Sequence, residues 1–238
     1  MRAARAAAAL LLAAAASAAA ADGARAARSI ALSDPGRLSR WAYLEQPTRA
    51  YARPSFRSRV LGRLALKTRD GTDELLFVEA RRRVNGRAWV RVRLPLRPAG
   101  VVGWVPEDRL GSYQEVRTHL IINRRTLRAT LVRRGRVVFR APIGVGKPGT
   151  PTPRGRFYVR SRLTGFGNHS VYGPLAFGLS ATSNVLTEWP GGGYIGIHGT
   201  SKPWLIPGRP SHGCVRMRNA DIRRLDRLMS VGTPVTIR

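Results

Sequence analysis

A chain of 238 residues has room for one or two domains with working cores, and its hydrophobic fraction of 43% is that of an ordinary globular protein. Its formal net charge of +29 at pH 7 is carried almost wholly by arginine, because Lys67, Lys147 and Lys202 are its only lysines. A field of that size draws a protein to polyanions, yet the arginines are spread through every segment and no zinc-finger or helix-turn-helix pattern accompanies them. No nucleic-acid partner is expected; an anionic cell wall or lipid surface fits better, and a general enrichment of arginine on solvated faces accounts for the same composition.

In chain order, Met1 to Ala21 carries Arg2 and Arg5, an apolar run around Leu10 to Leu12, and the small residues Ser17 to Ala21. This is the layout of a secretory signal cleaved near Ala20 or Ala21, and its apolar core is shorter than the roughly 20 residues of a membrane-spanning helix. The expectation is export to the periplasm or cell wall, with no stable membrane span once processed. Residues 22–44 hold few apolar positions and no sustained period, so they read as a linker. Residues 45–112 then show short apolar runs broken by turn residues, with Asn85-Gly86 marking a hairpin between two of them. That is a small all-β unit.

Strand patterns resume over residues 118–123, 127–132, 137–143 and 155–160. Gly144 to Pro153 has the glycines of a phosphate loop but no Gly-Lys-Ser/Thr opening a helix, and reads as a rigid Pro/Gly turn. Residues 165–174 form a loop carrying His169 and Tyr172. One short helix follows near the C-terminus, with Asn219 as N-cap, Asp221 in the first turn, an apolar stripe of Ile222, Leu225, Leu228 and Met229, and Gly232 as its stop. Residues Pro234 to Ile237 give a last strand.

The chemistry concentrates between Ile195 and Met217. Ile195 to Ile197 reads as a buried strand delivering His198, and the Gly-Arg-Pro run before Ser211 as a loop bringing Cys214 back beside it. A thiol attacks a carbonyl as thiolate and needs a base within reach, which His198 supplies. An exported chain with a single cysteine forms no internal disulfide, and the nearby His198, His212 and Arg216 make a setting expected to lower the thiol pKa. A zinc site from His198, His212 and Cys214 is the weaker reading: cysteine is an unusual ligand for a hydrolytic metal and no carboxylate base lies nearby in sequence. No metal and no cofactor is expected.

Trp89-Val90, Gly103-Trp104-Val105 and Leu110 resemble the bacterial SH3-like module. Residues 118–238 resemble the YkuD-like L,D-transpeptidase catalytic domain, on His198 followed after a loop by Ser211, His212, Gly213 and Cys214, with Arg216 where relatives carry Arg or Asn, and on Thr152-Pro153-x-Gly155-x-Phe157. The chain departs from that pattern in a shorter loop before Ser211 and in Gly199, where relatives often have a hydroxyl residue. The resemblance implies a mainly β protein: a signal over residues 1–21, a small SH3-like β-barrel over 45–112, and a YkuD-like β-sandwich over 116–238 with one short C-terminal helix near the site. It also implies acyl transfer from a peptidoglycan tetrapeptide stem to an amine, through a thioester and with release of D-Ala. Cys214 is then nucleophile and His198 base, its ring held by the Gly199 carbonyl. The Gly213 and Cys214 N–H groups form the oxyanion hole, while Ser211 and His212 shape the loop. Arg216 and Tyr172 bind the stem, and the SH3-like unit is expected to be dispensable for the chemistry. The alternatives are an L,D-carboxypeptidase using the same dyad, and a non-catalytic cell-wall-binding protein.

Overall fold

The computed structural model describes residues 28–186 and 193–238. The segment read as a signal, Met1 to Ala21, lies outside the described residues. Among them, no helix is long and apolar enough to cross a membrane. The fold is mainly β, with two sheets and a single α-helix among the described residues.

The first sheet comprises β1 (Ile30–Ala31), β2 (Ser39–Tyr43), β3 (Thr48–Tyr51), β4 (Val60–Leu64), β5 (Leu75–Val84), β6 (Arg87–Arg93), β7 (Val102–Pro106) and β8 (Gln114–Val116). Its ladders are all antiparallel, in the order β4-β3-β7-β6-β5-β2-β8, with β1 paired to Ala80 and Arg81 of β5. Asn85 (φ 48°) and Gly86 (φ 76°) close the β5–β6 hairpin, both in the left-handed region that a two-residue turn of this hand requires. The linker expected over residues 22–44 is corrected here, because β2 lies within it, paired to β5 on one side and β8 on the other. Ser39, Trp41, Ala42 and Leu44 are all buried. The strand is short, and one buried serine with an intervening Arg40 left no apolar period to read.

The second sheet comprises β9 (Thr118–Asn123), β10 (Arg128–Arg133), β11 (Arg136–Pro142), β12 (Gly144–Gly146), β13 (Gly155–Thr164), β14 (Leu175–Thr182), β15 (Tyr194–His198), β16 (Gly208–Ser211), β17 (Val215–Arg216) and β18 (Pro234–Ile237). Helix α1 (Asn219–Asp226) packs Ile222 and Leu225 into its core. The order is β11-β10-β9-β18-β13-β14-β15-β17-β12-β16. The sheet curls at β13, whose first residues pair with β18 and whose later ones pair with β14, so that both halves face one apolar core. The glycine-rich turn is a strand at its start: Gly144 to Gly146 are buried as β12 between β16 and β17. A Cβ on Gly146 would stand 2.6 Å from the Thr152 nitrogen and 2.8 Å from the Pro151 carbonyl carbon, which explains glycine there.

The two sheets share a third core of Trp41, Leu75, Phe77, Val116 and Tyr158, with the Phe77 and Tyr158 rings stacked at 6.1 Å. Tyr158 Oη donates to the Leu75 carbonyl (3.0 Å), and Arg93 donates to the Arg156 carbonyl (2.8 Å). Arg160 makes a two-pronged pair with Glu74, with Nε 2.7 Å from Oε1, in side chains only 11% and 3% exposed. A carboxylate and a guanidinium so removed from water hold only as a pair. The N-terminal sheet is therefore packed against the second unit through buried apolar, hydrogen-bonded and ion-paired contacts.

Candidate active site

Parallel pairing of β15 with β17 sets Ile197 beside Val215 and His198 beside Arg216, which brings Cys214 next to the end of β15. A Cβ on Gly196 would be 3.9 Å from His198 Cδ2 and 4.0 Å from Cys214 Sγ, so ring and sulfur flank one point on the strand. The Gly196 N–H donates to Cys214 Sγ at 3.4 Å. His198, His212, Cys214, Arg216, Ser211 and Tyr172 all line one cavity of about 110 Å³, walled further by Val171, Ser183, Leu186, Gly193, Tyr194 and Ile195. The residues singled out from sequence spacing are thus brought together around one cavity. Spacing missed Gly196, whose only sequence signal is a glycine two residues before the histidine.

His198 is buried, and its Nδ1 lies 2.7 Å from the Gly199 carbonyl. A carbonyl only accepts, so Nδ1 carries the proton and Nε2 is the free lone pair. Gly199 has no room for a side chain: a Cβ would press on Asn219 Oδ1 and stand 2.8 Å from Pro174 Cδ and 3.0 Å from Gly173 Cα. That crowding explains the absent hydroxyl. Asn219 does not serve as the N-cap expected from sequence. Arg218 holds that position, while the Asn219 amide accepts from the Thr200 N–H (2.9 Å) and donates to the Asn168 carbonyl (3.2 Å), tying the segment after His198 to α1. The helix also stops before Leu228 and Met229, so only half the expected stripe is helical.

The loop before the cysteine is held from beneath. Ser211 Oγ donates to the Cys214 carbonyl (2.6 Å) and accepts from the Gly213 N–H (3.1 Å). Thr152 Oγ1 accepts from the Gly146 N–H (2.9 Å) and donates to the Gly213 carbonyl (2.7 Å). Gly213 sits at φ 130°, a conformation that disfavours any side chain. One expectation is corrected by this network: the Gly213 N–H points at Ser211 and not toward an oxyanion. Tyr172 meets His198 edge-on, with ring centroids 5.2 Å apart. The Arg216 Nε is buried without a hydrogen-bond partner, and the alternative pairing with Asp221 is not among the ion pairs of the described residues.

The electrostatics reverse another expectation. Burial pushes the His198 pKa down from 6.5 to about 4, with the Gly199 carbonyl raising it and Arg216 lowering it further. Burial pushes the Cys214 thiol above 9.0, outweighing the Gly196 N–H and Arg216, which both lower it. The electropositive setting is real, but desolvation is larger. At neutral pH the pair is a thiol and a neutral imidazole. Among the described residues, no three His, Cys, Asp or Glu side chains cluster as metal ligands.

Residues 117–237 match the YkuD family, the L,D-transpeptidase catalytic domain. The chain belongs to that family. Two candidate L,D-transpeptidases named YkuD are similar to it: that of Bacillus licheniformis is 39% identical over 117 residues (49% of this chain, 61% of the relative), and that of Bacillus subtilis 36% over 120 residues (50% and 65%). The chain thus spans under two thirds of the length of these relatives. The solved L,D-transpeptidase of Xylanimonas cellulosilytica is 26% identical, with 51% of this chain and 60% of that one covered at a TM-score of 0.38. The cavity described above lies wholly within the YkuD domain, and Gly193 to Cys214 contribute most of its lining.

Proposed function

We propose that the protein is a peptidoglycan L,D-transpeptidase with Cys214 as nucleophile and His198 as its base. The observation that carries this reading is the His198 tautomer: Nδ1–H held by the Gly199 carbonyl leaves Nε2 able to take the thiol proton in the cavity that both residues line. As Nε2 accepts that proton, Cys214 Sγ bonds to the carbonyl carbon of the stem's diamino acid. The tetrahedral oxyanion is received by the Cys214 N–H, with the Gly196 N–H beside the sulfur; one such donor is worth about 3 kcal/mol. Collapse breaks the amide bond, and the imidazolium returns its proton to the departing D-Ala amine. An amine of a second stem then attacks the thioester, passes a proton to Nε2, and the thiol is regenerated as the cross-link forms. Arg216, with a free buried Nε, receives a stem carboxylate, and Tyr172 packs beside the ring.

The N-terminal unit is read as an SH3-like module, the arginine excess as an affinity for the anionic wall, and the leader as an export signal. The test is mass spectrometry of the protein with a disaccharide-tetrapeptide, with and without an amine acceptor. A thioester adduct on Cys214 and a cross-linked dimer are expected. Free tripeptide without dimer would instead make it an L,D-carboxypeptidase, and absence of any adduct would leave wall binding as its activity.

A further inference from the structure

The N-terminal sheet reaches the active cavity through one turn. After β6, the chain runs through residues 94–101 before β7 begins, and this turn meets the cavity wall of the YkuD domain. The Pro95 carbonyl accepts from Tyr194 Oη (2.8 Å), and Arg97 Nη1 donates to the Ser183 carbonyl (2.9 Å). Ser183 in turn donates its N–H to the Gly193 carbonyl (2.7 Å). Gly193, at φ 72°, leaves space for the guanidinium: a Cβ there would stand 2.6 Å from Arg97 Nη2. Ser183, Gly193 and Tyr194 all line the cavity that holds Cys214 and His198.

Tyr194 is gripped a second time. The Arg160 guanidinium lies 4.7 Å from its ring centroid, and Arg160 is the residue that Glu74 of the N-terminal sheet holds. Tyr194 also opens β15, the strand that ends on His198. The N-terminal sheet therefore holds this short strand at its start by a carbonyl on the hydroxyl and by an ion-paired guanidinium on the ring face.

We infer that the Pro95–Arg97 turn and the Glu74–Arg160 pair are positioning elements of the stem-peptide site, by which the N-terminal sheet sets the shape of the cavity wall at Ser183, Gly193 and Tyr194. These residues touch no reacting atom. They act through the wall, so losing them loosens the fit of a large acyl donor while leaving the thiol and its base in place. A cavity wall built on a neighbouring unit also requires the two units to be docked for the site to be complete.

The inference rests on the proposed acyl transfer for its first readout and is independent of it for its second. In the full-length protein, Arg97→Ala removes the hydrogen bond to the Ser183 carbonyl and Tyr194→Phe the one to the Pro95 carbonyl, and each is expected to lower kcat/KM for Cys214 acylation by the tetrapeptide about three- to tenfold, mainly through KM. Arg97→Lys, which keeps a donor toward Ser183, should recover much of the loss. Alkylation of Cys214 by iodoacetamide should stay within about twofold of wild type. Variants with an unchanged KM and only a lowered Tm would reduce the clasp to a structural role and overturn the inference. If wild type takes no acyl group from the tetrapeptide, the proposed function fails, and the clasp is read instead from the ratio of alkylation rates for a bulky and a small maleimide. A shifted ratio in Arg97→Ala and Tyr194→Phe supports it, and an unchanged ratio overturns it.

Discussion

A neutral resting pair makes a sharp prediction about His198→Ala. Burial lifts the Cys214 thiol above its ordinary value, so at pH 7 the sulfur rests as the thiol. Labelling by iodoacetamide, which consumes thiolate, should then rise about tenfold per pH unit from pH 7 and keep rising to pH 9 or beyond. The His198 ring, with its pKa near 4, carries no charge to remove at pH 7. Replacing it with alanine should therefore leave the profile in place or move it slightly down, because water entering the vacated space brings the thiol back toward its ordinary value. Acylation by the tetrapeptide responds differently: it needs Nε2 as base, and should fall by a factor of about 10² to 10⁴. The assay is the rate of carbamidomethylation followed by mass spectrometry across pH 5 to 10, set beside acylation rates for the same two proteins. A wild-type labelling plateau that persists below pH 7 and disappears in His198→Ala would mean a preformed thiolate–imidazolium pair, and the argument from burial would be wrong.

Four further outcomes are expected. Because the folded pKa of His198 lies about 2.5 units below 6.5, the neutral ring contributes about 3 kcal/mol of stability that is fully present above pH 6.5 and lost as pH falls toward 4; urea melts should show the stability difference between wild type and His198→Gln shrinking by that amount from pH 7 to pH 4. Glu74→Gln leaves the buried Arg160 without its counter-charge and should cost about 3 kcal/mol or more in guanidinium unfolding, whereas a loss under 1 kcal/mol would show that water reaches the pair. Thr152→Val removes both hydrogen bonds under the cysteine loop and should cost about 1–3 kcal/mol in the same assay, with slower acylation. A chain begun at Val116 exposes Tyr158 and strands Arg160, so it should melt well below the full-length protein; an equal Tm would show that the YkuD domain is indifferent to its neighbour.

The residues that could be read directly were those whose chemistry depends on local order. Ser211-His212-Gly213-Cys214 and the upstream His198 are close enough in sequence that one strand and one loop decide their meeting, and the parallel β15–β17 register delivers it. The strands of the YkuD domain were legible for a similar reason: β9 alternates buried and half-buried positions along its length, a period of two written in the residues. Strand β2 was hidden because an inner strand flanked on both sides buries adjacent residues, including Ser39, and shows no such period. The Glu74–Arg160 pair spans 86 positions, and no local pattern announces it.

What composition and spacing could not weigh was desolvation against charge at the site itself. Counting cations around Cys214 gives the sign of one contribution, and Arg216 does lower the thiol pKa. The opposing contribution depends on how far the surrounding fold takes the sulfur out of water, which no count of neighbouring charges in sequence can state. The same covering sets His198 near 4, so the two shifts have one cause and move the pair together toward its uncharged state. An uncharged thiol reacts poorly with stray electrophiles, and proton transfer to Nε2 gains its driving force only when a carbonyl carbon is held against the sulfur. Acylation thus depends on how well the wall positions the stem, which is why a hydrogen bond from Tyr194 to a neighbouring sheet bears on the chemistry of a cysteine it does not touch.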